Sequence, residues 1–348
     1  MESGPADLRA TFELFRFYRP EVGIEGLLRD AGVGSMSARQ IYHAVHDRPP
    51  DSLEAAMSSN EYSSLDIFIS ALSSVEFQEK LAAHFIRAFP EKRRLFFVHI
   101  PKTAGVDLAS HLISRFPSIA TTLLDRELTP VPEQVFLALK HIVLEIAHSD
   151  TIFITGHTPL GVYQGWAGNG IRYRDAVFTV VREPLEQLIS QINYTLSRIF
   201  SDESPVPPDT AGWRREFAVD AAAGRPSSDE IPRLSRRILH HQGVVIPNAI
   251  CGFLGGGSFG ESLAQTVAHD VEVVSLNQLD AWAEQKWAVS NRSRRNSSEK
   301  FLAMADLSPD DRDYAASIVL EDRKYYDRVM NAYERYGGTS VRGAQIAG

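Results

Sequence analysis

From residue 94 onward, short apolar runs alternate with segments of helical periodicity, and this alternation limits the possible folds more than any other feature of the chain. Each run is long enough for one buried strand. The runs are residues 95–98, 152–154, 177–181 and 271–276. Amphipathic helices are predicted between them, at residues 108–116, 133–147 and 185–199. Alternating strands and helices imply an α/β fold with a central parallel sheet covered by helices on both faces.

Residues 1–90 differ from the rest because they show helical spacing of apolar residues and no strand signal. They are predicted to form a helical N-terminal region, followed by a second domain over residues 91–340. Residues 201–232 interrupt that domain with several prolines, among them Pro205, Pro207, Pro208 and Pro226, and with several Asp and Ser residues. Because long irregular segments in compact domains are usually functional or disordered, this insertion is expected to be a mobile loop or a partly helical lid.

Composition and charge exclude some classes of protein. Apolar residues make up 44% and charged residues 23% of the 348 residues, values typical of a soluble globular chain. The formal net charge of −8 argues against a nucleic-acid partner, although it allows a local basic pocket. Cys251 is the single cysteine, so no intrachain disulfide can form. No apolar run reaches 18 residues and no signal-like segment opens the sequence, so a cytoplasmic protein without a transmembrane segment is expected.

Residues 97–108, with the sequence FVHIPKTAGVDL, place a strand, a tight turn and a helix start in that order. The first amides of a helix lack intrahelical partners and, together with the helix dipole, favour a bound anion. Lys102 adds a positive charge and Gly105 allows close approach of the backbone. The lysine precedes the glycine, and Val106 and Asp107 rather than a hydroxyl follow that glycine, so the segment does not match the magnesium-binding GxxxxGK[ST] loop. The segment therefore predicts a P-loop-like sheet with a metal-free phosphate site.

A second candidate anion site follows the strand at residues 177–181. Arg182 comes directly after that strand, where open parallel sheets bind ligands. Pro184 suits the first turn of the next helix, which carries Ser190 eight residues after the arginine. A guanidinium fork and a hydroxyl at this spacing can converge on one phosphate group.

The segment HIPKTAG resembles the 5′-phosphosulfate loop of sulfotransferases that use 3′-phosphoadenosine 5′-phosphosulfate (PAPS), and it looks most like the carbohydrate sulfotransferase branch. The resemblance implies a donor-binding loop made of Pro101, Lys102, Thr103, Ala104, Gly105, Val106 and Asp107. It also implies that Arg182 and Ser190 hold the 3′-phosphate, which distinguishes PAPS from ordinary adenine nucleotides. Val106 and Asp107 stand where this branch often has Thr-Ser, so one hydroxyl contact to the 5′-phosphate is expected to be lost.

Weaker similarities extend the resemblance over about residues 94–335. Residues 248–254 and 321–326 resemble segments near the last strand and the terminal helix of the family. Between them lies a basic cluster of Lys286, Arg292, Arg294, Arg295 and Lys300. The resemblance implies that Arg294, Arg295 and Asn296 belong to a loop that closes over the nucleotide, whereas the residues alone are equally consistent with a solvated loop.

Two residues are predicted to be catalytic. A cation placed at the leaving oxygen lowers the barrier to in-line transfer, and Lys102 suits that role. His157 follows a strand and a glycine in a Thr-Gly-His segment that resembles the base-carrying segment of some carbohydrate sulfotransferases, and a histidine is the usual proton acceptor near neutral pH. Of the other histidines, His99 is expected to support the loop, and His240 and His241 to form a solvated or capping pair on a helix. No set of residues has metal-ligand spacing, so no metal is expected.

The resemblance therefore implies transfer of a sulfuryl group from PAPS to a hydroxyl of a glycan or glycolipid, with 3′-phosphoadenosine 5′-phosphate (PAP) as the product. A lipid-linked acceptor could be membrane-associated. Two alternatives stay open, a P-loop kinase of a small alcohol and a non-catalytic glycan-binding module on a decayed transferase fold.

Overall fold

The structure is a computed structural model that describes most of the chain from residue 91 onward and parts of the chain before it. The described ranges are 37–46, 63–72, 91–113, 115–116, 118–120, 149–167, 175–200, 213–217, 230–241, 243–289 and 300–348, with single positions at 74, 77, 80, 83 and 86. The structural statements below concern these residues.

Helices and strands alternate through the described chain. The helices are Ala38–His46 (α1), Ser64–Leu72 (α2), Gly105–Ile113 (α3), Leu160–Ala167 (α4), Pro184–Ile199 (α5), Glu230–Leu239 (α6), Ala249–Gly255 (α7), Phe259–Ala268 (α8), Leu279–Trp287 (α9), Pro309–Ile318 (α10), Leu320–Tyr336 (α11) and Gly343–Ala347 (α12). The strands are Arg93–Val98 (β1), Ser118–Ala120 (β2), Thr151–Gly156 (β3), Ala176–Val181 (β4), Glu272–Ser275 (β5) and Val341–Arg342 (β6).

The six strands form one mostly parallel sheet in the order β2-β3-β1-β4-β5-β6. Strand β4 pairs in parallel with both β1 and β5, whereas β5 pairs antiparallel with the short edge strand β6. The α/β prediction with a central parallel sheet is confirmed. The four predicted strands are also confirmed, as β1, β3, β4 and β5, and their observed bounds differ from the apolar runs by one or two residues.

The chain forms two compact units. The first comprises residues 1–94 and 116–154, and its described part contains α1 and α2. These two helices agree with the predicted helical N-terminal region. The second unit comprises residues 95–115 and 155–348 and contains all the other helices. Every residue of the candidate site described below belongs to this second unit, and the predicted domain boundary at residue 91 stays a prediction.

The core of the second unit forms around β4 and α5. Strands β1 and β4 are buried along nearly their whole length, as their uninterrupted apolar sequences require. Glu183 caps α5 by accepting a hydrogen bond from the Glu186 amide at 2.7 Å, and Pro184 occupies the first helical position. The apolar stripe of α5 packs in one cluster with α6 and α10. This packing fixes the face of α5 that turns toward the loop after β1.

Several predictions fall partly or wholly outside the described residues. The predicted helix at 133–147 lies entirely outside the described residues. The predicted insertion at 201–232 is described only at residues 213–217 and 230–232. Residues 213–217 form a helical turn, and α6 begins at Glu230, inside the predicted insertion. Within the part of the chain that is described, no helix is both long and apolar enough to cross a membrane.

Candidate active site

The loop that follows β1 is held between β4 and α5. The Thr179 hydroxyl of β4 donates a hydrogen bond of 2.8 Å to the Val98 carbonyl at the end of β1. The carboxamide of Gln187 in α5 donates a bond of 2.8 Å to the Pro101 carbonyl. Gln187 is only 2% exposed, and its Oε1 has no hydrogen-bond partner among the described residues. The position of the loop is therefore set by the two elements that also carry Arg182 and Ser190.

Two residues of this loop adopt a backbone conformation that is uncommon for side chains other than glycine. Lys102 has φ of 67° and Ala104 has φ of 59°. Between them the hydroxyl of Thr103 is fully buried and donates a bond of 2.8 Å to the Ile100 carbonyl, which closes the turn. Because strained non-glycine residues persist only where the surroundings over-determine them, this loop is a built feature of the fold. The Thr103 hydroxyl is committed to the turn, so a ligand would meet the backbone of Thr103.

Helix α5 turns one stripe of side chains toward the loop. Gln187, Ser190 and Tyr194 are spaced three and four residues apart and so lie on one helical face. Gln187 contacts the loop at Pro101. The Tyr194 ring lies beneath the Lys102 ammonium, whose Nζ is 4.1 Å from the centroid of that ring. Ser190, which is half-buried, lies between these two contacts and therefore on the side of α5 that faces the predicted phosphate loop.

Arg182 enters the site from the end of β4, which is paired with β1. Its side chain is 26% exposed, and its Nε lies 3.5 Å from the Glu186 carboxylate, a long and exposed ion pair. Such a pair contributes little, so the guanidinium can exchange this partner for a bound anion. Lys102 and Arg182 thus both lie at the carboxyl ends of adjacent parallel strands, where ligands bind in open sheets.

The two cations are close enough to act on each other. Burial, and to a smaller extent the charge of Arg182, lowers the pKa of Lys102 to about 8. The lysine still carries its proton in most molecules at pH 7. A site that holds two cations against their mutual repulsion gains free energy when an anion binds between them.

His157 follows β3 and contacts the same loop. Its Nδ1 donates a hydrogen bond of 2.9 Å to the His99 carbonyl, so the Nε2 of the neutral ring is the proton acceptor. The residue as a whole is exposed, yet the protein around the ring excludes enough water to lower its pKa. The hydrogen bond to His99 acts in the opposite direction, and the Lys102 charge lowers the pKa further. At neutral pH the ring is therefore uncharged and able to accept a proton.

His99 has a supporting position. Its ring is buried, stacks on Phe97 with centroids 5.2 Å apart, and lies 4.3 Å from the ring of His157. Burial holds the pKa of His99 well below its ordinary value, and His157 and Lys102 lower it further. A buried, neutral imidazole packed inside the loop agrees with a structural role for His99.

The remaining predicted site residues divide into two groups. Gly105, Val106 and Asp107 begin α3 immediately after the loop. The first amides of a helix lack intrahelical partners and are able to bind an anion. Arg294, Arg295 and Asn296 lie outside the described residues, so their predicted contact with the nucleotide stays a prediction.

His240 and His241 lie at the C-terminal end of α6 rather than within it, because the helix ends at Leu239 and the His240 amide donates a bond of 3.1 Å to the Arg236 carbonyl. They follow its last turn, where the His240 Nε2 lies 3.1 Å from the Asp311 carboxylate and the His241 Nε2 lies 3.4 Å from the Glu216 carboxylate. These contacts stand apart from the site in the described chain, so the pair links elements of the fold. In the described ranges, no group of three or more His, Cys, Asp or Glu side chains is arranged to hold a metal ion.

Sequence reasoning missed Gln187 and Tyr194, although both contact the loop. The signal that could have found them was available. They lie three residues before and four residues after Ser190, and a helix that presents Ser190 to a ligand presents these positions as well.

Comparison of the chain with protein-family models, with curated proteins and with solved structures found no match.

Proposed function

We propose that this protein is a sulfotransferase that transfers the sulfuryl group of PAPS to a hydroxyl of a glycan or glycolipid acceptor. The observation that supports the proposal most is the pair of cations, Lys102 and Arg182, at the carboxyl ends of adjacent parallel strands. Two neighbouring cations suit a donor that carries two anionic groups, a 5′-phosphosulfate and a 3′-phosphate. Ser190 adds a hydroxyl on the helix face that lies beside the loop.

The residues of the site fit the chemistry of this transfer. The acceptor oxygen forms a new bond to sulfur while the bond between sulfur and the bridging oxygen of the donor breaks. The Nε2 of His157 takes the proton of the acceptor hydroxyl as that oxygen attacks. The electron pair of the broken bond stays on the 5′-phosphate of PAP, and the Lys102 ammonium stabilises the negative charge that develops there. Arg182 and Ser190 orient the donor by its 3′-phosphate.

A thermal-shift comparison tests the class of the protein. PAP without magnesium should raise the melting temperature, because a ligand that binds only the folded state stabilises it by mass action. A P-loop kinase would instead respond to ATP with magnesium, and a decayed glycan-binding module would respond to neither nucleotide. Adenosine 5′-monophosphate is the matched control, because it lacks the 3′-phosphate and should stabilise less than PAP at equal concentration.

Radiolabelled PAPS tests the reaction itself. Incubation with a glycan fraction and, separately, a glycolipid fraction should transfer label to one of them when wild-type protein is present. The Lys102→Ala variant is the control for label that binds without transfer. Label in neither fraction, under conditions where PAP binds, would overturn the assignment of the acceptor class.

We also propose that the protein acts in the cytoplasm. The supporting observation is its one cysteine, Cys251, which is buried and free and so suits a reducing compartment. Fractionation of cells that express the tagged chain would contradict this proposal if the protein entered the secretory pathway.

A further inference from the structure

The ammonium of Lys102 lies over the face of the Tyr194 ring, with Nζ 4.1 Å from the ring centroid. This distance is well inside the range of about 6 Å over which a cation is attracted to an aromatic face. Tyr194 belongs to α5, one turn after Ser190, and the residue is 37% exposed to solvent. The contact connects the lysine of the loop with a helix that packs into the core.

A second aromatic side chain supports Tyr194 from outside the helix. The rings of Trp213 and Tyr194 meet edge to face, with centroids 6.5 Å apart and planes at 82°. Trp213 begins the helical turn 213–217, the described middle part of the predicted insertion. The turn is fastened to α5 because Arg214 donates a bond of 2.7 Å to the Ile199 carbonyl.

The other end of that turn is fastened to α6. Arg237 donates a hydrogen bond of 2.7 Å to the Phe217 carbonyl and another of 3.1 Å to the Glu216 carbonyl. Its guanidinium also lies over the Phe217 ring, 5.5 Å from the centroid. Residues 213–217 are therefore built into the structure, and their position beside Tyr194 is set by both neighbouring helices.

Several charged or titratable groups act on Lys102. Burial disfavours its ammonium, and the Arg182 cation at the end of β4 does so as well. His99 and His157, which face it from the connections after β1 and β3, both have lowered pKa values and are neutral above pH 7. The Tyr194 ring acts in the opposite direction, because its negative face favours the charged lysine.

We propose that Tyr194 is a positioning residue that keeps Lys102 charged and holds its ammonium in place, with Trp213 fixing the ring. The consequence for turnover rests on the proposed sulfotransferase function. The effect on the charge of Lys102 does not, because it depends only on the contact between ring and ammonium. Trp213, which lies in the described turn of the predicted insertion, thereby gives that turn a role in positioning Tyr194.

The direct test is the titration of Lys102 itself. Protein labelled with ¹³C at lysine Cε gives one signal per lysine, and the Lys102 signal is identified by its absence in Lys102→Arg. Tyr194→Phe keeps the aromatic face and should titrate like wild type. Tyr194→Leu keeps an apolar side chain that excludes water but has no aromatic face, so its midpoint should fall by roughly 0.5 to 1.5 pH units. Trp213→Leu should lower the midpoint by a smaller amount.

A matched control is available in Tyr314, which is also 37% exposed and stacks on His240 with centroids 4.2 Å apart. Tyr314→Leu should leave the Lys102 midpoint unchanged. Tyr194→Met serves as a second variant without an aromatic face, should Tyr194→Leu fold poorly. An unchanged Lys102 midpoint in Tyr194→Leu or Tyr194→Met would overturn the inference, whatever their activity.

The same variants separate this inference from the proposed function. If wild type transfers sulfuryl groups, Tyr194→Leu should lower kcat at pH 7.5, and Tyr194→Phe should restore it. If wild type neither binds PAP nor transfers label, the proposed function fails, while the titration of Lys102 still decides whether Tyr194 sets its charge.

Discussion

The imidazole Nδ1 of His157 donates a hydrogen bond of 2.9 Å to the backbone carbonyl oxygen of His99. A backbone carbonyl can only accept, so this bond fixes the tautomer of the neutral ring and leaves Nε2 without a proton. It also fixes the orientation of the ring relative to the loop that carries Lys102. A histidine that is oriented, neutral and close to a cation has the properties of a general base.

We predict that His157→Ala loses roughly 10²- to 10⁴-fold in turnover, the usual cost of removing a positioned base. PAP should still bind normally, because no contact between His157 and the nucleotide is proposed. Steady-state kinetics and calorimetry with PAP measure the two quantities. His99→Ala is the contrast, since deleting a buried ring inside the loop should impair PAP binding or folding.

The pH profile of wild type gives a further check on His157. Because the pKa of His157 is lowered from its ordinary value of 6.5, the acid limb of kcat/KM should lie below pH 6.5. The rate falls on the acid side because protonation removes the accepting lone pair of Nε2. Near-normal turnover in His157→Ala, or a profile flat down to pH 5, would mean that another group or solvent takes the proton.

A second prediction concerns the choice of donor. Arg182→Ala should weaken PAP binding by about 2–3 kcal/mol, or roughly 30- to 150-fold, because it removes a charge-assisted contact to the 3′-phosphate. Ser190→Ala should cost less, about 1 kcal/mol, because a neutral hydrogen bond contributes less. Adenosine 5′-monophosphate, which has no 3′-phosphate, should bind both variants as it binds wild type.

Arg236 offers a matched control for the arginine variant. It is exposed, lies 3.3 Å from Asp311 and belongs to α6, away from the loop. Arg236→Ala should leave PAP affinity unchanged. Equal losses in Arg182→Ala and Arg236→Ala would indicate a general loss of positive charge, and unchanged affinity in Arg182→Ala would contradict the assignment of the 3′-phosphate site.

The central strands were predictable because burial on both faces leaves a plain sequence signal. Residues 95–98 and 177–181 are continuous apolar runs, and both are central strands of the sheet. Helix α5 was equally clear, because Pro184 and an apolar stripe mark its start and its buried face.

The strands that sequence reasoning missed are the shortest ones. Strand β6 has two residues, Val341 and Arg342, too few for any periodicity. Its place at the sheet edge depends on Glu272 of β5, which pairs with Arg342 and whose buried carboxylate accepts a bond of 2.8 Å from Ser340, the residue before β6. Contacts between residues 68 positions apart are invisible to a local pattern.

The candidate site was predictable in part. Strand ends and the helix start fixed the positions of Lys102, Arg182 and His157 at one edge of the sheet. The contact of Lys102 with Tyr194 could not be read in the same way, because it depends on the left-handed conformation of Lys102 and on the rotation of α5. Both are consequences of packing in the folded chain.

A third prediction concerns Lys102. Lys102→Ala should reduce turnover far more than it weakens PAP binding, because the charge that the lysine meets develops in the transition state. Its pKa of about 8 adds a pH signature. A phosphate bound beside the ammonium favours the charged form, so PAP binding above pH 8 should take up protons.

Calorimetry of PAP binding at pH 8.5, in two buffers with different ionisation enthalpies, measures this uptake. Wild type should take up roughly half a proton or more, since a lysine with a pKa near 8 is mostly deprotonated there. Lys102→Arg keeps a permanent charge and should take up none at this position. Equal losses of turnover and binding in Lys102→Ala would mean that the lysine only binds the donor.

The last prediction rests on a reciprocal contact between two helix starts. The Asp322 carboxylate, in the first turn of α11, accepts hydrogen bonds of 2.9 and 2.8 Å from the amides of Ile250 and Cys251 in α7. Asn248, the N-cap of α7, accepts bonds from the amides of Glu321 and Asp322 at 3.0 and 3.3 Å. Each helix thus supplies the cap of the other, which satisfies amides that would be unpaired.

Burial raises the pKa of Asp322 from 3.8 to about 6, against the lowering effect of these two amides. Because the folded state then holds its proton more tightly than the unfolded state, the contribution of Asp322 to stability is full below pH 3.8. This contribution falls as pH rises to about 6, by at most about 3 kcal/mol.

We therefore expect the stability advantage of wild type over Asp322→Asn to shrink between pH 4 and pH 7, measured by urea unfolding. Asn248→Ala should lose about 1–2 kcal/mol at every pH, because its cap does not titrate. An advantage over Asp322→Asn that grows with pH would show instead that the amides hold the folded-state pKa below 3.8.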